Sequence, residues 1–435
     1  MNTLKAGFAE KILTKSDGLR LAGYAEKRLA TGVHDDLHAR CIVLEKGDLS
    51  VALVSASILY LKNCATETIR TKASEQTGIP ANNIVVHTTH THSGPDVEGE
   101  FEKFVIEQCV ASIVEACNNK FDAQIGAGIT HTRNCGMNRR YLDYGGLPID
   151  DEVAVLRIDD LHGNTKGILF NYACHCTTLG ASNTLVSADW PSYAIQAIKQ
   201  QLGDNVFAVF FNGACGDINP GYSAALSAVS AQIPIRTWEK AQEIGERVAE
   251  SALAKWAEIS TSPDIELKIG IQEVELPCRK SFPVSRAEAL EGVEVAKEDL
   301  KKVEEKTPVF QRPLERARAR VFLAELLLSG VDDFEQGKIP DTTNAILQSV
   351  RIGDAAITTL PGEIICEIGM AVKKASPSAK NFIFELVNNG NAFGYMPAAS
   401  AYGEGDYEAY KSIYAENAGE VLANASVTNL KKLWD

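Results

Sequence analysis

The stretch IVVHTTHTHSGP, residues 84–95, decides how the sequence is interpreted, because it joins a short apolar run to a dense group of histidines. Its first three residues are typical of a buried strand. Three of the chain's eight histidines follow within six positions. Because side chains alternate between the faces of a strand, we expect His90 and His92 to point the same way and His87 the opposite way. Two imidazoles on one face are typical of a metal site, whereas a single histidine at such a position is more often a hydrogen-bonded core residue.

Strand-like and helix-like segments alternate on both sides of this stretch. RCIVLE (40–45) and LSVALVSASILYL (49–61), separated by KGD, predict a β-hairpin. Apolar spacing predicts helices over about 63–77, 100–119, 190–202 and 236–259, and strands within 123–133, 152–159, 166–175, 206–213, 346–353 and 355–360. A further helix is expected in PGEIICEIGMAVKKA (361–375), with Pro361 in its first turn. This order predicts an α/β fold in which mixed sheets are flanked by helices.

Residues 285–330 are rich in charge and helical in pattern, with a break at KTPVFQRP (306–313). Alternating charges predict a helical hairpin that projects from the body, within an insertion of about 280–335. A solvated structural arm and a lid over a binding site are both consistent with this pattern.

Composition limits the classes of partner. The 435 residues are 45% hydrophobic and 23% charged, and the net charge is −14. This negative charge opposes binding to nucleic acid or to an anionic lipid surface. The N-terminal residues do not have the pattern of a secretory leader, so we expect none, and no apolar run is long enough to predict a helix that crosses a bilayer. The ten cysteines lack paired spacing and are expected to be free thiols, so the expected location is the cytoplasm.

Two further residues are candidate metal ligands. His175 lies in FNYACHCTTLG (170–180), where an apolar strand runs into a polar loop, and its neighbouring cysteines are expected in the core. Glu363 lies in TTLPGE (358–363), where the macrodipole of a following helix would also favour a carboxylate without any metal. Two histidines and a carboxylate match the ligands of a catalytic zinc that keeps an open position. The spacing alone leaves their convergence open.

The sequence resembles the catalytic domain of the neutral ceramidase family, whose members are zinc-dependent amidases that split sphingolipid N-acyl bonds. The resemblance extends in order from about residue 20 to 425 and rests on these motifs: GYA (23–25), THTHSGP (89–95), VSADWPSYA (186–194), NGACGDINP (212–220) and LPGE (360–363). It implies a single ceramidase-like catalytic domain over 1–435. In a departure from the family, we expect no C-terminal β-sandwich domain.

The resemblance also implies roles for individual residues. His90, His175, Glu363 and Tyr395 would bind one zinc ion, the tyrosine being chosen because Tyr395, Tyr402 and Tyr407 reproduce the family's intervals of seven and twelve. Zinc would activate a water molecule for attack on the amide carbonyl. His92 would carry the proton, and Tyr407 and Arg139 would donate to the oxyanion. Asn219 stands where the family has a serine and would donate to the oxyanion or position substrate.

Departures from the family, such as Asn219 in place of its serine and the insertion of about 280–335, leave the identity of the substrate open. The expected partner is a small-molecule or lipid-like amide, and we expect one that is smaller or more soluble than long-chain ceramide, because no amphipathic surface helix is evident. A true ceramidase is the first alternative. A metal-free acyl transferase with Cys215 or Ser93 as nucleophile is the second, and a non-catalytic protein with a structural metal is the third.

Overall fold

The computed structural model describes residues 3–15, 18–140, 147–229, 231–306, 308, 310–387, 390–403 and 405–435. Across these ranges the chain folds into four layers, in which two packed sheets lie between two layers of helices. This architecture confirms the predicted α/β fold with mixed sheets and flanking helices. Residues 307 and 309, in the predicted break of the helical hairpin, lie outside the described ranges.

The elements are numbered in chain order. The strands are β1 (Leu4–Ile12), β2 (Arg20–Leu21), β3 (Arg28–Leu29), β4 (Gly32–Val33), β5 (His38–Lys46), β6 (Leu49–Ala56), β7 (Ile84–Thr88), β8 (Phe121–His131), β9 (Met137–Asn138), β10 (Glu152–Asp160), β11 (Thr165–Tyr172), β12 (Leu185–Val186), β13 (Phe207–Asn212), β14 (Ile218–Asn219), β15 (Leu267–Pro277), β16 (Thr342–Ile352), β17 (Ala355–Thr359), β18 (Glu363–Ile364), β19 (Lys380–Phe384) and β20 (Tyr395–Met396). The α-helices are α1 (Asn63–Thr77), α2 (Gly99–Asn118), α3 (Trp190–Leu202), α4 (Ala224–Ala228), α5 (Trp238–Glu258), α6 (Arg286–Glu304), α7 (Gln311–Glu335), α8 (Cys366–Ala375), α9 (Ala399–Tyr402), α10 (Tyr407–Lys411) and α11 (Ala418–Lys431).

The larger sheet has eight strands in the order β13-β11-β10-β8-β1-β5-β6-β7. Its central pairs are antiparallel, and β5 and β6 form the predicted hairpin. The outermost pairs, β6 with β7 and β11 with β13, are parallel. Each parallel pair is joined by a crossover that contains a helix, α1 or α3, because parallel strands cannot be joined by a tight turn. The smaller sheet has the order β15-β16-β17-β19.

Alternating side chains divide the core between the layers. On β7, Ile84 and Val86 pack with α1 and α2, whereas Val85 packs between the two sheets. Helices α3 and α5 cover the other half of the larger sheet, and α8 and α11 cover the smaller one. Both sheets therefore bury their two faces, which explains the nearly continuous apolar runs of the central strands.

The larger sheet curls so that its outermost strands approach each other, and His87 joins them. The His87 Nε2 accepts the backbone N–H of Asn212 at 3.1 Å. Its Nδ1 lies 2.9 Å from the Ser55 hydroxyl, which itself donates to the carbonyl of Phe210 at 2.8 Å. The Ser55 hydroxyl hydrogen is used for Phe210, so the Ser55 oxygen accepts the Nδ1–H of His87. Nδ1 therefore carries the only ring proton and the ring is neutral, in agreement with burial, which lowers the pKa of His87 to about 3. His87 therefore has a structural role, because it joins the two edge strands.

Two local predictions are wrong for identifiable reasons. Strand β7 ends at Thr88, so His90 and His92 lie in the following turn and do not share a strand face. The segment after Pro361 forms the short strand β18, and α8 begins only at Cys366. Glu363 is therefore not in the first turn of a helix, which removes the macrodipole explanation for its position.

The helical hairpin is present, but α7 does not project freely. It packs against α4 and α10 as well as against α6. Within the described residues, no helix is both long and apolar enough to cross a bilayer.

Candidate metal centre and active site

His90 is fixed by the turn after β7. Its backbone has φ 63°, a conformation that a non-glycine residue seldom adopts. The ring Nδ1 lies 2.9 Å from the carbonyl oxygen of Leu59, and the ring Nε2 lies 3.3 Å from Oε2 of Glu363. Because a carbonyl oxygen can only accept, Nδ1 carries a proton, and Nε2 is directed toward Glu363.

His175 follows the end of β11 and has the same arrangement. Its Nδ1 lies 2.6 Å from the carbonyl oxygen of Cys215, and its Nε2 lies 3.2 Å from the same Oε2 of Glu363. Burial, with the nearby charge of Arg139, lowers the pKa of His175 to about 3, so the ring is neutral. The Nε2 atoms of His90 and His175 therefore both face one carboxylate oxygen.

This arrangement fits a bound cation. Two imidazole nitrogens and a carboxylate oxygen that meet at one buried point are the ligand types of a catalytic zinc site. Ligand atoms about 2.0–2.1 Å from a tetrahedral zinc lie roughly 3.3 Å from one another, and the two nitrogens lie 3.3 and 3.2 Å from the carboxylate oxygen. His90, His175 and Glu363, predicted as ligands from distant parts of the chain, are thus brought together.

His92 belongs to the same cluster. One nitrogen each from His90, His92 and His175 lies within 4.8 Å of the others. Both nitrogens of His92 are buried, and neither has a hydrogen-bond partner among the described residues. The ring packs against Gly23, where an added Cβ would lie 2.4 Å from Nδ1. The positive φ of Gly23, 92°, and this close approach explain why a glycine stands at that position.

Strand pairing places Tyr395 beside Glu363. The short strands β18 and β20 run parallel with Glu363 opposite Tyr395. The approach of the two segments is close, because a Cβ at Gly362 would lie 2.4 Å from the carbonyl oxygen of Gly394. Burial raises the pKa of Tyr395 above its ordinary value, so its phenol is protonated.

Arg139 connects the loops around the site. Its Nε donates to Glu408 at 2.8 Å, and its Nη2 donates to the carbonyl of Gly216 at 2.8 Å and to the hydroxyl of Tyr395 at 2.9 Å. Arg139 and Glu408 are both buried. The guanidinium group therefore orients Tyr395 and brings positive charge to the centre.

The catalytic candidates face a cavity of about 390 Å³, whose lining includes His92, Arg139, Tyr395 and Tyr407. The ring of Tyr407 lies 5.5 Å from that of Tyr395. Burial and the charge of Glu363 raise the pKa of Tyr407 to about 12, so its hydroxyl is available as a donor.

Three other sequence predictions find no support in this geometry. The amide of Asn219 is used within its own turn, where it donates to Tyr222 and accepts two backbone N–H groups. Asn219 does not line the cavity. Cys215 is fully buried against Glu385, and burial raises the pKa of its thiol well above the ordinary value, the opposite of what a nucleophile needs. Ser93 is fully buried and accepts from Asn183.

The comparisons with known proteins assign the chain to a family. Residues 12–242, just over half of the chain, match the family described as "Neutral/alkaline non-lysosomal ceramidase, N-terminal". The chain belongs to this family. Neutral ceramidase from Pseudomonas aeruginosa is 24% identical over 91% of this chain and 66% of its own length. Neutral ceramidase B from Dictyostelium discoideum is 25% identical over 46% of this chain and 33% of its own length. The chain thus spans about one third to two thirds of these curated relatives.

Solved structures of ceramidases share the fold. The crystal structure of neutral ceramidase from Pseudomonas aeruginosa matches with a TM-score of 0.73 over 99% of this chain and 75% of that chain, at 18% identity. A structure entitled "Ceramidase complexed with C2" matches with a TM-score of 0.75 over 100% of this chain and 76% of that chain, at 19% identity. These likenesses confirm the α/β architecture of the ceramidase-family chain.

Some functional groups had no usable signal in the sequence. Glu408, the partner of Arg139, lies in a loop-like segment 269 residues away. Gly23 was part of a recognised motif, but its contact with His92 depends on two loops that are distant in sequence. The apolar residues of α7 that reach the cavity, Phe322 and Leu326, lie in a helix whose sequence shows only a general amphipathic pattern.

Proposed function

We propose that this chain is a metal-dependent hydrolase that cleaves the N-acyl bond of ceramide. The observation that carries the proposal is the convergence of two carbonyl-anchored imidazoles on one oxygen of Glu363, beside a cavity lined by His92, Arg139 and Tyr407. Family membership supports ceramide over the smaller amide expected from the sequence.

We assign His90, His175, Glu363 and Tyr395 to the metal, with zinc as the expected ion. His92 is left free because metal-bound histidines almost always donate their second nitrogen to a neighbouring acceptor. His90 and His175 have such acceptors, whereas His92 has none among the described residues.

The bound ion supplies a Lewis acid for the scissile carbonyl and for the attacking water. Tyr407, held in its protonated form, donates a hydrogen bond to the carbonyl oxygen as negative charge develops there. Arg139 keeps Tyr395 in position through its hydroxyl. Burial keeps the pKa of His92 below its ordinary value, so the neutral ring takes a proton from the water and passes it to the departing nitrogen.

The test combines metal analysis with a substrate panel. Protein purified without added metal is expected to contain about one equivalent of divalent ion and to release fatty acid from ceramide. His175→Ala is expected to lose both the ion and the activity, because it removes a ligand. His92→Ala is expected to retain the ion and to lose about 10²–10⁴-fold in rate. His131→Ala, in an exposed pair with Asp151, is the matched histidine control.

Three results would contradict the proposal or one of its assignments. Undiminished turnover by metal-free protein would exclude metal-dependent hydrolysis. Cleavage of small N-acyl amides without any cleavage of ceramide would show that the substrate is a smaller amide, as the sequence alone predicted. Equal loss of metal in the His92 and His175 variants would mean that His92 is a ligand.

A further inference from the structure

One face of α7 is fixed to the body of the protein. Glu315, Ala319, Phe322 and Leu326 recur every three or four residues and therefore share a helical face. Glu315 accepts the backbone N–H of Gln232 at 2.8 Å, and Ala319 is fully buried. The hairpin thus holds this face of α7 in a defined position.

Phe322 and Leu326 on this face line the cavity beside the metal centre. The ring of Phe322 stacks on that of Tyr407, with centroids 6.1 Å apart and an interplanar angle of 23°. Helix α4 adds two alanines and the hydroxyl of Ser227 to the same part of the lining. The cavity is therefore apolar where it meets α7 and mainly apolar where it meets α4.

The part of the lining around His92 has a different character. Tyr24 lies against His92, with ring centroids 5.2 Å apart, and Glu26 and Thr177 also line the cavity. These side chains carry hydroxyl and carboxylate groups that can hydrogen-bond to a hydroxylated substrate. The cavity therefore combines a polar part with an apolar part, and the catalytic groups His92 and Tyr407 each lie beside one of them.

We propose that α7 forms the wall that selects the acyl chain of the substrate, with Phe322 and Leu326 in contact with that chain. This inference rests on the proposed function, because His92 is there assigned to the departing nitrogen and Tyr407 to the carbonyl oxygen. The hydroxylated base then lies beside Tyr24 and Glu26, and the acyl chain extends from Tyr407 toward α7. The cavity of about 390 Å³ is at the small end of the usual range for ligand sites, so its apolar wall limits chain length.

The test is the acyl-chain profile of Leu326 variants. Wild-type protein and variants are assayed with ceramides that carry acetyl, octanoyl or palmitoyl chains on one sphingoid base. Leu326→Ala enlarges the apolar part, and we expect kcat/KM for palmitoyl relative to acetyl substrate to rise by about 10-fold, since one or two methylene groups in an apolar pocket are worth that factor. Leu326→Trp fills the same space and should lower the ratio. Leu323→Ala, on the same helix but outside the cavity lining, is the matched control and should leave it unchanged.

The outcomes separate this inference from the proposed function. Wild-type protein that cleaves no ceramide would overturn the proposed function and the wall with it. Wild-type protein that cleaves ceramides, together with an acyl profile that neither Leu326 variant changes, would overturn only the wall. A second series varies the base at constant acyl chain. A shift in that series without a shift in the acyl series would show that α7 contacts the base, which would overturn the assignment.

Discussion

Glu408→Gln is expected to destabilise the protein strongly, because it leaves the charge of Arg139 buried without its counter-ion. The side chains of the pair are 6% and 1% exposed, and the ion pair is 2.8 Å long. The two other contacts of the guanidinium, a carbonyl and a phenol, are neutral. Removing one partner of a buried pair costs about 3–5 kcal/mol, so we expect a loss of that size in the free energy of unfolding.

Urea unfolding followed by tryptophan fluorescence measures this loss. The double variant Arg139→Met with Glu408→Gln removes the unpaired charge, and we expect it to be more stable than Glu408→Gln alone. Lys103→Ala breaks the fully exposed pair with Glu100 and should leave the urea midpoint unchanged. A loss below about 1 kcal/mol in Glu408→Gln, or a double variant less stable than that single variant, would refute the reasoning.

Two further predictions concern other histidines. Because the pKa of His87 falls from 6.5 to about 3 on folding, the unfolded chain binds a proton there that the folded chain does not between these pH values. His87 alone should therefore lower the free energy of unfolding by about 1.4 kcal/mol for each unit by which the pH falls within this range. His87→Gln should reduce the measured slope by that amount, and an unchanged slope would contradict the assignment. Gly23→Ala should displace His92 and lower the rate while the metal content is retained. Gly163→Ala, which also has positive φ but open space around it, should keep full activity, and equal losses in the two glycine variants would mean that backbone strain is the cause.

Local sequence signals were sufficient for many elements of the fold. Helices α1 and α3 occupy the predicted ranges, and α3 begins with Asp189 as N-cap and a proline in its first turn. Strands β5 and β6 form the predicted hairpin. These elements combine a clear apolar period with turn or cap residues at their ends, so each is specified by its own segment.

Elements stabilised by distant partners were not predicted. Strand β1, in the middle of the larger sheet, has the sequence LKAGFAEKI, whose charged residues hide its strand pattern. Its neighbours β5 and β8 start 34 and 117 residues after it, so its pairing has no local signal. For Glu363, the preceding Pro-Gly sequence is typical of a helix start, but pairing with Tyr395 makes a short strand instead. The neighbour that decides each structure lies far away in the chain.

The candidate site also depends on distant parts of the chain, because backbone groups from other segments hold its histidines in position. His90 is held by a carbonyl between β6 and α1, and His175 by a carbonyl between β13 and β14. These carbonyls fix the tautomer of each ring before any ion binds, so little reorganisation accompanies binding. His92 lacks such an anchor among the described residues and is held by packing against Gly23. A ring restrained by packing alone keeps both nitrogens available for proton transfer, and this difference in restraint separates the histidine that moves protons from the histidines that hold the ion.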